Sequence, residues 1–250
     1  MSVVVVDSGV ANIGSVVAAL ERARAQVTVS RDWEVIRRAP RVLLPGVGAA
    51  AAAMRELDRL GLSERLPTLT QPVLGVCLGM QLLFAGSEEG VESGIGNRES
   101  GIGNAESGIG NGESGIGDAL SGATYTADSR FPIPHSPRLH RCLSILPGQV
   151  RRLPESPGVR IPHMGWNALI PRRAHPLVAG LSERDYAYFV HSFAVAESEL
   201  TLMACQHGAT FSAIVARGNF MGAQFHPERS AAVGARLLAN FLTLDAEALS

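Results

Sequence analysis

One segment of the chain places a single cysteine in a tight turn between two apolar stretches. Residues 73–76 are typical of a buried strand, Cys77 follows at once, and Gly79 opens an apolar stretch typical of a helix. Strand, sharp turn and helix in this order form a nucleophile elbow, in which flanking glycines such as Gly75 and Gly79 make room for the turn. The segment therefore predicts an α/β fold and covalent catalysis by a cysteine thiolate.

The rest of the pattern extends this prediction to a central sheet flanked by helices. Strands are expected at residues 3–6, 27–29 and 42–44, and helices at 12–24 and 49–60. This alternation is typical of a parallel sheet. The second half has strand-like runs separated by short turns at 166–170, 186–190, 202–205, 212–216 and 221–225, before a last helix at 230–242. Short turns favour antiparallel pairing there, so the sheet is expected to be mixed.

Composition excludes several classes of function. A length of 250 residues with 46% hydrophobic residues suits one or two folded domains, and a formal charge of -1 gives no field to attract nucleic acid or a membrane surface. The cysteines, Cys77, Cys142 and Cys205, are odd in number and form no disulfide framework. The first residues lack the features of a signal peptide, and no run approaches the length of a membrane span. We expect a cytoplasmic protein.

The pattern stops at a tandem repeat in the middle of the chain. Residues 92–119 consist of the units ESGIGNR, ESGIGNA, ESGIGNG and ESGIGDA. Isoleucine alone recurs among glycines, so the seven-residue period does not indicate a coiled coil. The seven-nucleotide word GGAATCG, written three times, encodes GIGNRES, which suggests slippage in the DNA. We interpret residues 91–141 as a flexible low-complexity insertion into a single domain that spans residues 1–250.

A histidine and a glutamate near the end of the chain can complete the chemistry of Cys77. In the segment His226-Pro227-Glu228 the proline restricts the backbone, and the glutamate two residues on can lie on the same side as the histidine. Such a pair suits a proton-transferring base and its orienting carboxylate. His191, at the end of an apolar strand, remains open between a structural and a binding role. Structural roles are expected for the histidines at 135, 140, 175 and 207 and for Cys205, and Cys142 is taken as an incidental thiol.

A glycine-rich turn at Gly46-Val47-Gly48 allows two interpretations. It follows a strand and opens a helix, which formally satisfies the GxGxxA form of the dinucleotide fingerprint. The acidic residue expected about 20 positions further on is missing, because the next strand ends at Cys77. We prefer a turn whose backbone amides point at a developing oxyanion.

Five segments together resemble the class I glutamine amidotransferases. They are PGVG at 45–48, GVCLGMQ at 75–81, PHMGWN at 162–167, YFVHSF at 188–193 and QFHPERS at 224–230. The cysteine elbow and the His-Pro-Glu segment are similar to the whole class. The segment HMGWN and the opening DSGVAN at 7–12 resemble the glutaminase subunits of imidazole glycerol phosphate synthases.

This resemblance implies a flavodoxin-like fold and a function. It implies hydrolysis of L-glutamine in histidine biosynthesis, with ammonia passed to a (β/α)8-barrel cyclase subunit as partner, and no cofactor or metal. Cys77 would be the nucleophile, His226 the base and acid, and Glu228 the third member of the triad. The oxyanion and substrate-binding residues would be Gly46, Val47, Gly48, Leu78, Gln81, His191, Ser192 and Phe193. The partner interface would include Asn12, His163, Met164, Gly165, Trp166, Asn167 and Arg229.

Departures from the family pattern keep two alternatives open. Ser8 stands where an aromatic residue or threonine is more usual, Arg229 where lysine is common, and the insertion where relatives connect briefly. The alternatives are an amidotransferase subunit for another acceptor and a non-catalytic binding subunit. The HMGWN segment disfavours the first, and the intact Cys77, His226 and Glu228 disfavour the second.

Overall fold

The computed structural model describes residues 1–9, 13–89 and 139–245. Most of the predicted insertion at 91–141 lies outside the described residues, as does Asn12. The last residues of the predicted insertion are not a flexible loop, because His140–Arg141 form a strand that pairs with Phe84–Ser87. The described residues belong to one compact unit.

The helices and strands follow the alternation expected from the sequence. The helices are α1 (Ile13–Arg22), α2 (Trp33–Arg37), α3 (Ala50–Arg59), α4 (Leu78–Leu82) and α5 (Ala231–Thr243). The strands are β1 (Ser2–Val6), β2 (Gln26–Ser30), β3 (Val42–Leu44), β4 (Val73–Val76), β5 (Phe84–Ser87), β6 (His140–Arg141), β7 (Leu146–Arg152), β8 (His163–Ala168), β9 (Ile170–Pro171), β10 (Tyr186–His191), β11 (Phe193–Val195), β12 (Thr201–His207), β13 (Ala209–Arg217) and β14 (Phe220–Ala223).

A mixed central sheet carries the fold, as predicted. Its strand order is β2-β1-β3-β4-β14-β13-β12-β9. The pairs from β2 through β4 to β14 are parallel, and those from β14 to β9 are antiparallel. Strand β14 therefore lies beside β4 and runs in the same direction. Because parallel neighbours end at the same edge of a sheet, the residues after β4 and after β14 are brought together.

Two smaller sheets were not anticipated. Strands β11, β7, β5 and β6 form one of them, and β10 pairs with β8 in the other. The sequence did not reveal β5 because it directly follows α4, where the apolar stretch suggested that the helix continues. Strand β7 lacks the alternation of a half-buried strand, since only Leu146 and Val150 in it are buried.

The core has two parts, one on each face of the central sheet. Alternate residues of β1 point to opposite faces, so Val3 and Val5 join one cluster while Val4 and Val6 join the other. Helices α1 and α5 cover the first face, and α3 and α4 cover the second. Within the described residues, no helix is long and apolar enough to cross a membrane.

Candidate active site

Cys77 occupies a strained turn between β4 and α4. Its backbone has φ 53° and ψ −111°, a conformation that non-glycine residues rarely adopt. Such conformations cost about 1–3 kcal/mol each and persist where the surroundings enforce them. Here the Cys77 amide donates to the Ala223 carbonyl of the neighbouring strand at 2.7 Å. The predicted elbow is present, and it leads directly into the short helix α4.

Glycines around the elbow supply space rather than unusual backbone angles. A Cβ atom on Gly79 would lie 1.8 Å from the Leu44 carbonyl oxygen, and one on Gly75 would lie 2.6 Å from the Gly79 oxygen. A Cβ on Gly46 would meet the Gly79 nitrogen at 2.9 Å. The turn at 46–48 is therefore packed directly on the elbow. This contact explains why a glycine is needed at position 46 without any role in binding a dinucleotide.

Replacing Gly79 by alanine is expected to separate these two backbones and to destabilise the protein. The added carbon would overlap the Leu44 carbonyl, and such overpacking costs about 1–3 kcal/mol or more. The free energy of unfolding should fall accordingly, together with activity. Gly14→Ala is the matched control, because Gly14 also lies in a helix but has no atom within 4 Å of its Cβ position. Equal unfolding free energies for the two variants, measured in urea, would contradict this account.

His226 lies next to the elbow because β14 runs parallel to β4. It follows the end of β14, and its Nδ1 lies 2.9 Å from Oε1 of Glu228. Its amide donates to the Tyr188 carbonyl at 3.1 Å. Burial lowers the pKa of His226, but its interactions with the side chains of Cys77 and Glu228 outweigh burial and raise the pKa to about 10. The imidazolium is therefore the favoured form, with its Nδ1–H donating to Glu228.

A cleft of about 440 Å³ opens above the cysteine. It is lined by Val47, Gly48, Ala49, Cys77, Leu78, Gln81, Glu89, Pro162, Val190, His191, Ser192, Phe193 and His226. The residues predicted from the resemblance to bind substrate thus come together, with two of the triad residues. Two predicted residues do not line the cleft: Gly46 supports its floor, and Glu228 lies behind His226.

Two buried glutamines connect the wall of the cleft to the nucleophile. The Gln81 amide nitrogen donates to the Phe193 carbonyl at 2.9 Å and to Gln224 Oε1 at 3.1 Å. The Gln224 amide nitrogen in turn lies 3.9 Å from Cys77 Sγ. Only the carbonyl oxygen of Gln81 is thus left to face a substrate. Sequence reasoning missed Gln224, although it stands two residues before His226.

Glu89 is a second functional candidate that the sequence did not reveal. It lines the cleft, and its buried Oε2 has no hydrogen-bond partner among the described residues. Burial raises its pKa to about 7, although a hydrogen bond from the Ala50 backbone opposes this. In the sequence it follows Glu88 at the start of the repeat region, where an acidic pair suggests only a solvated loop. An unpaired carboxyl in a cleft is suited to binding a cation.

The residues expected at the partner interface divide between the surface and the interior. Met164 is 63% exposed and Trp166 is 53% exposed, and Arg229 is also exposed. Gly165 and Asn167 are half-buried. His163 is buried, so its side chain is not available to a partner in this structure.

The other thiols are unsuited to catalysis. Burial raises the pKa of Cys142 to about 11, with a smaller contribution from the charge of Glu89, and burial raises the pKa of Cys205 to about 12. Within residues 1–9, 13–89 and 139–245, no group of three histidine, cysteine or acidic residues is placed to hold a metal ion. Of the three thiols, Cys77 is the one that lines the cleft with His226.

Comparison with known protein families is consistent with a cysteine, a histidine and a glutamate at the active site. The family described as glutamine amidotransferase class-I matches residues 4–244. The chain belongs to this family. The class I amidotransferase fold expected from the sequence is thereby confirmed, and a crystal structure of a glutamine amidotransferase matches it with a TM-score of 0.59 at 17% identity, covering 96% of each chain.

Two relatives of this amidotransferase share its full length. The imidazole glycerol phosphate synthase subunit HisH of Colwellia psychrerythraea is 41% identical, and the alignment covers 99% of this chain and 95% of the relative. The protein of the same name from Xylella fastidiosa is 43% identical, with 98% of each chain covered.

Proposed function

We propose that this amidotransferase is the glutaminase subunit of an imidazole glycerol phosphate synthase in histidine biosynthesis. The single observation that carries the proposal is the placement of Cys77 and His226 in one cleft, with Glu228 hydrogen-bonded to the histidine. The names of the full-length relatives support the choice of synthase. The products would be glutamate and ammonia, and the ammonia would pass to a cyclase subunit.

The reaction follows from the geometry of the cleft. Cys77 Sγ attacks the side-chain amide carbon of glutamine, and a tetrahedral intermediate forms. His226 protonates the amide nitrogen, so that ammonia leaves and a γ-glutamyl thioester remains. The neutral imidazole then takes a proton from water, whose oxygen attacks the thioester carbon. Glutamate leaves, and the thiolate and imidazolium are restored.

Backbone amides beside Cys77 would receive the oxyanion of these intermediates. Val47 and Gly48 line the cleft beside Cys77, and Leu78 is the first residue of α4, whose amide has no partner within the helix. One such donor contributes about 3 kcal/mol to lowering a barrier of this kind. The close packing of Gly46 on the elbow holds this turn near the sulfur.

Glu89 is the residue best suited to recognise the α-ammonium group of glutamine. Glu89 lines the same cleft as Cys77, and its Oε2 lacks a partner among the described residues. A bound cation would favour the charged carboxylate and lower its raised pKa. Glutamine would thereby satisfy an oxygen that is otherwise buried and unpaired.

Glu89→Gln is expected to raise the KM for glutamine about tenfold while kcat changes little. The amide keeps the shape but removes the charge, and a hydrogen bond to a charged group contributes about 1.5–3 kcal/mol. Glu88→Gln is the matched control, since the neighbouring carboxylate binds Arg151 at 2.7 Å instead of lining the cleft. Steady-state ammonia release measures both variants. Equal KM values for them would exclude this role of Glu89.

The proposed partner, a (β/α)8-barrel cyclase, would dock on an exposed apolar surface. Met164, Trp166 and Tyr186 are exposed on strands β8 and β10. In these strands the exposed residues alternate with buried ones, which leaves one apolar face of a two-stranded sheet open to a partner. The ammonia released at Cys77 would then be delivered without dilution into solvent.

The test is glutamine hydrolysis with and without the purified cyclase and its nucleotide ligand. We expect ammonia release to rise when both are added, and the ammonia to enter the cyclase product. Turnover that is indifferent to the cyclase would favour an amidotransferase subunit for another acceptor. Absence of ammonia release under every condition would favour a non-catalytic binding subunit.

A further inference from the structure

Strands β8 and β10 form a small sheet with two different faces. His163 pairs with His191 directly across this sheet, and Met164 and Trp166 alternate with His163 and Asn167 along β8. Met164 and Trp166 are exposed, whereas His163 and His191 are buried. The outer face, with Met164 and Trp166, is therefore apolar, whereas the inner face carries the polar side chains of His163, Asn167 and His191.

These side chains form a continuous hydrogen-bonded chain. The Asn167 amide nitrogen lies 2.9 Å from the Gln206 carbonyl and 3.1 Å from His163 Nε2. His163 Nδ1 lies 3.1 Å from His191 Nε2, and His191 Nδ1 lies 2.8 Å from the Phe193 carbonyl. The chain thus ends on a backbone oxygen of the segment that lines the cleft.

The direction of every hydrogen bond in this chain is determined. The Phe193 carbonyl is an acceptor, so His191 must carry its proton on Nδ1. The Asn167 amide donates to His163 Nε2, so His163 must also carry its proton on Nδ1 and donate to His191. Both rings are then neutral. Burial is the largest effect and lowers the pKa of His163 to about 3 and that of His191 to about 4, although the hydrogen bond to the Phe193 carbonyl opposes this at His191. Both values agree with neutral rings.

We propose that His163, oriented by Asn167, is a positioning residue for glutamine hydrolysis. It fixes the His191 ring in the tautomer that holds the Phe193 carbonyl, and so places the segment 191–193 in the wall of the cleft. The same carbonyl accepts the amide of Gln81 at 2.9 Å, so two cleft residues depend on its position. This inference rests on the proposed glutaminase function, but the hydrogen-bonded chain can be tested without it.

The first experiment measures the tautomers in the intact chain labelled with 15N-histidine. We expect His163 and His191 to give the shifts of neutral rings protonated on Nδ1 at neutral pH, with assignments from single histidine variants. A ring protonated on Nε2, or an imidazolium, at either position would overturn the inference. This measurement stands even if the wild-type protein releases no ammonia from glutamine, a result that would instead refute the proposed function.

The second experiment compares three variants by their KM and kcat for glutamine, assayed with the cyclase. His163→Phe keeps a ring but removes the donor to His191. We expect KM to rise about tenfold with kcat nearly unchanged, because a tenfold change corresponds to the loss of about one hydrogen bond. His163→Asn retains a donor near Nδ1 and should restore most of the affinity. His207→Phe is the matched control, because its ring stacks on His163 at 4.0 Å but has no hydrogen bond to His191 among the described contacts.

The pattern across the variants decides the outcome. A KM that rises equally in His163→Phe and His207→Phe would assign His163 a packing role and overturn the inference. An equal loss in His163→Phe and His163→Asn would do the same, because the retained donor should matter. If His163→Phe does not fold, the tautomers of the wild type and the KM of His163→Asn still test whether His163 positions the His191 ring.

Discussion

Cys77→Ala should abolish the release of ammonia from glutamine, lowering kcat by about 10,000-fold or more. Cys77 is the thiol that lines the cleft with His226, and water alone would have to attack the amide in the variant. Folding should be retained, because the change removes a single sulfur atom. The backbone strain at this position should be unchanged, since alanine keeps the Cβ that the positive φ already strains.

The other cysteines provide the controls for this experiment. Cys142→Ala should keep kcat within about twofold, because Cys142 does not line the cleft and its raised pKa leaves the thiol protonated. Iodoacetamide should modify the wild type at Cys77 and leave Cys142 and Cys205 unlabelled in the folded protein. Ammonia release by Cys77→Ala at the wild-type rate would refute thiolate catalysis.

The order of elements near the active site was predictable because local patterns determine it. The run before Cys77, the glycines at 75 and 79 and the His226-Pro227-Glu228 segment each carry their information within a few residues. Parallel pairing of β4 and β14 then brings these segments together. The alternation of strands and helices, together with the short turns of the second half, predicted a mixed sheet. The family resemblance predicted most of the residues that line the cleft.

Contacts between distant segments could not be predicted in the same way. Glu89 reaches the cleft only because the turn after β5 lies beside it, whereas its neighbours in sequence resemble a solvated loop. His163 stands in a segment associated with the partner, yet the alternation of β8 turns it inward, away from exposed Trp166. Its register opposite His191 depends on a strand pairing that neither segment specifies alone.

The two faces of β8 also suggest how a partner could influence glutamine binding. A partner subunit docked on Trp166 would contact the strand whose other face carries His163 and Asn167. The chain from Asn167 to the Phe193 carbonyl would then transmit a shift of β8 to the cleft. The physical evidence for such coupling would be a two-state element whose equilibrium both sites change.

Glu228→Gln should lower kcat about 100-fold or more and reduce it most at alkaline pH. The Glu228 carboxylate accepts from His226 Nδ1 at 2.9 Å, and its other oxygen is buried without a partner among the described residues, so its charge acts mainly on the imidazolium. Removing that charge should lower the pKa of His226 from about 10 towards its ordinary value. The acid that protonates departing ammonia would then be lost at a lower pH than in the wild type.

The same change should alter the pH dependence of stability in a defined direction. The folded-state pKa of His226 is raised, to about 10, so its contribution is fully present below the unfolded pKa of about 6.5 and is lost as pH rises towards 10. In Glu228→Gln this contribution should be smaller and should disappear at a lower pH. Glu155→Gln is the control, because Glu155 forms only an exposed ion pair with Arg152 at 3.4 Å. Urea unfolding from pH 6 to 10 would contradict the assignment if Glu228→Gln followed the wild-type curve as closely as Glu155→Gln does.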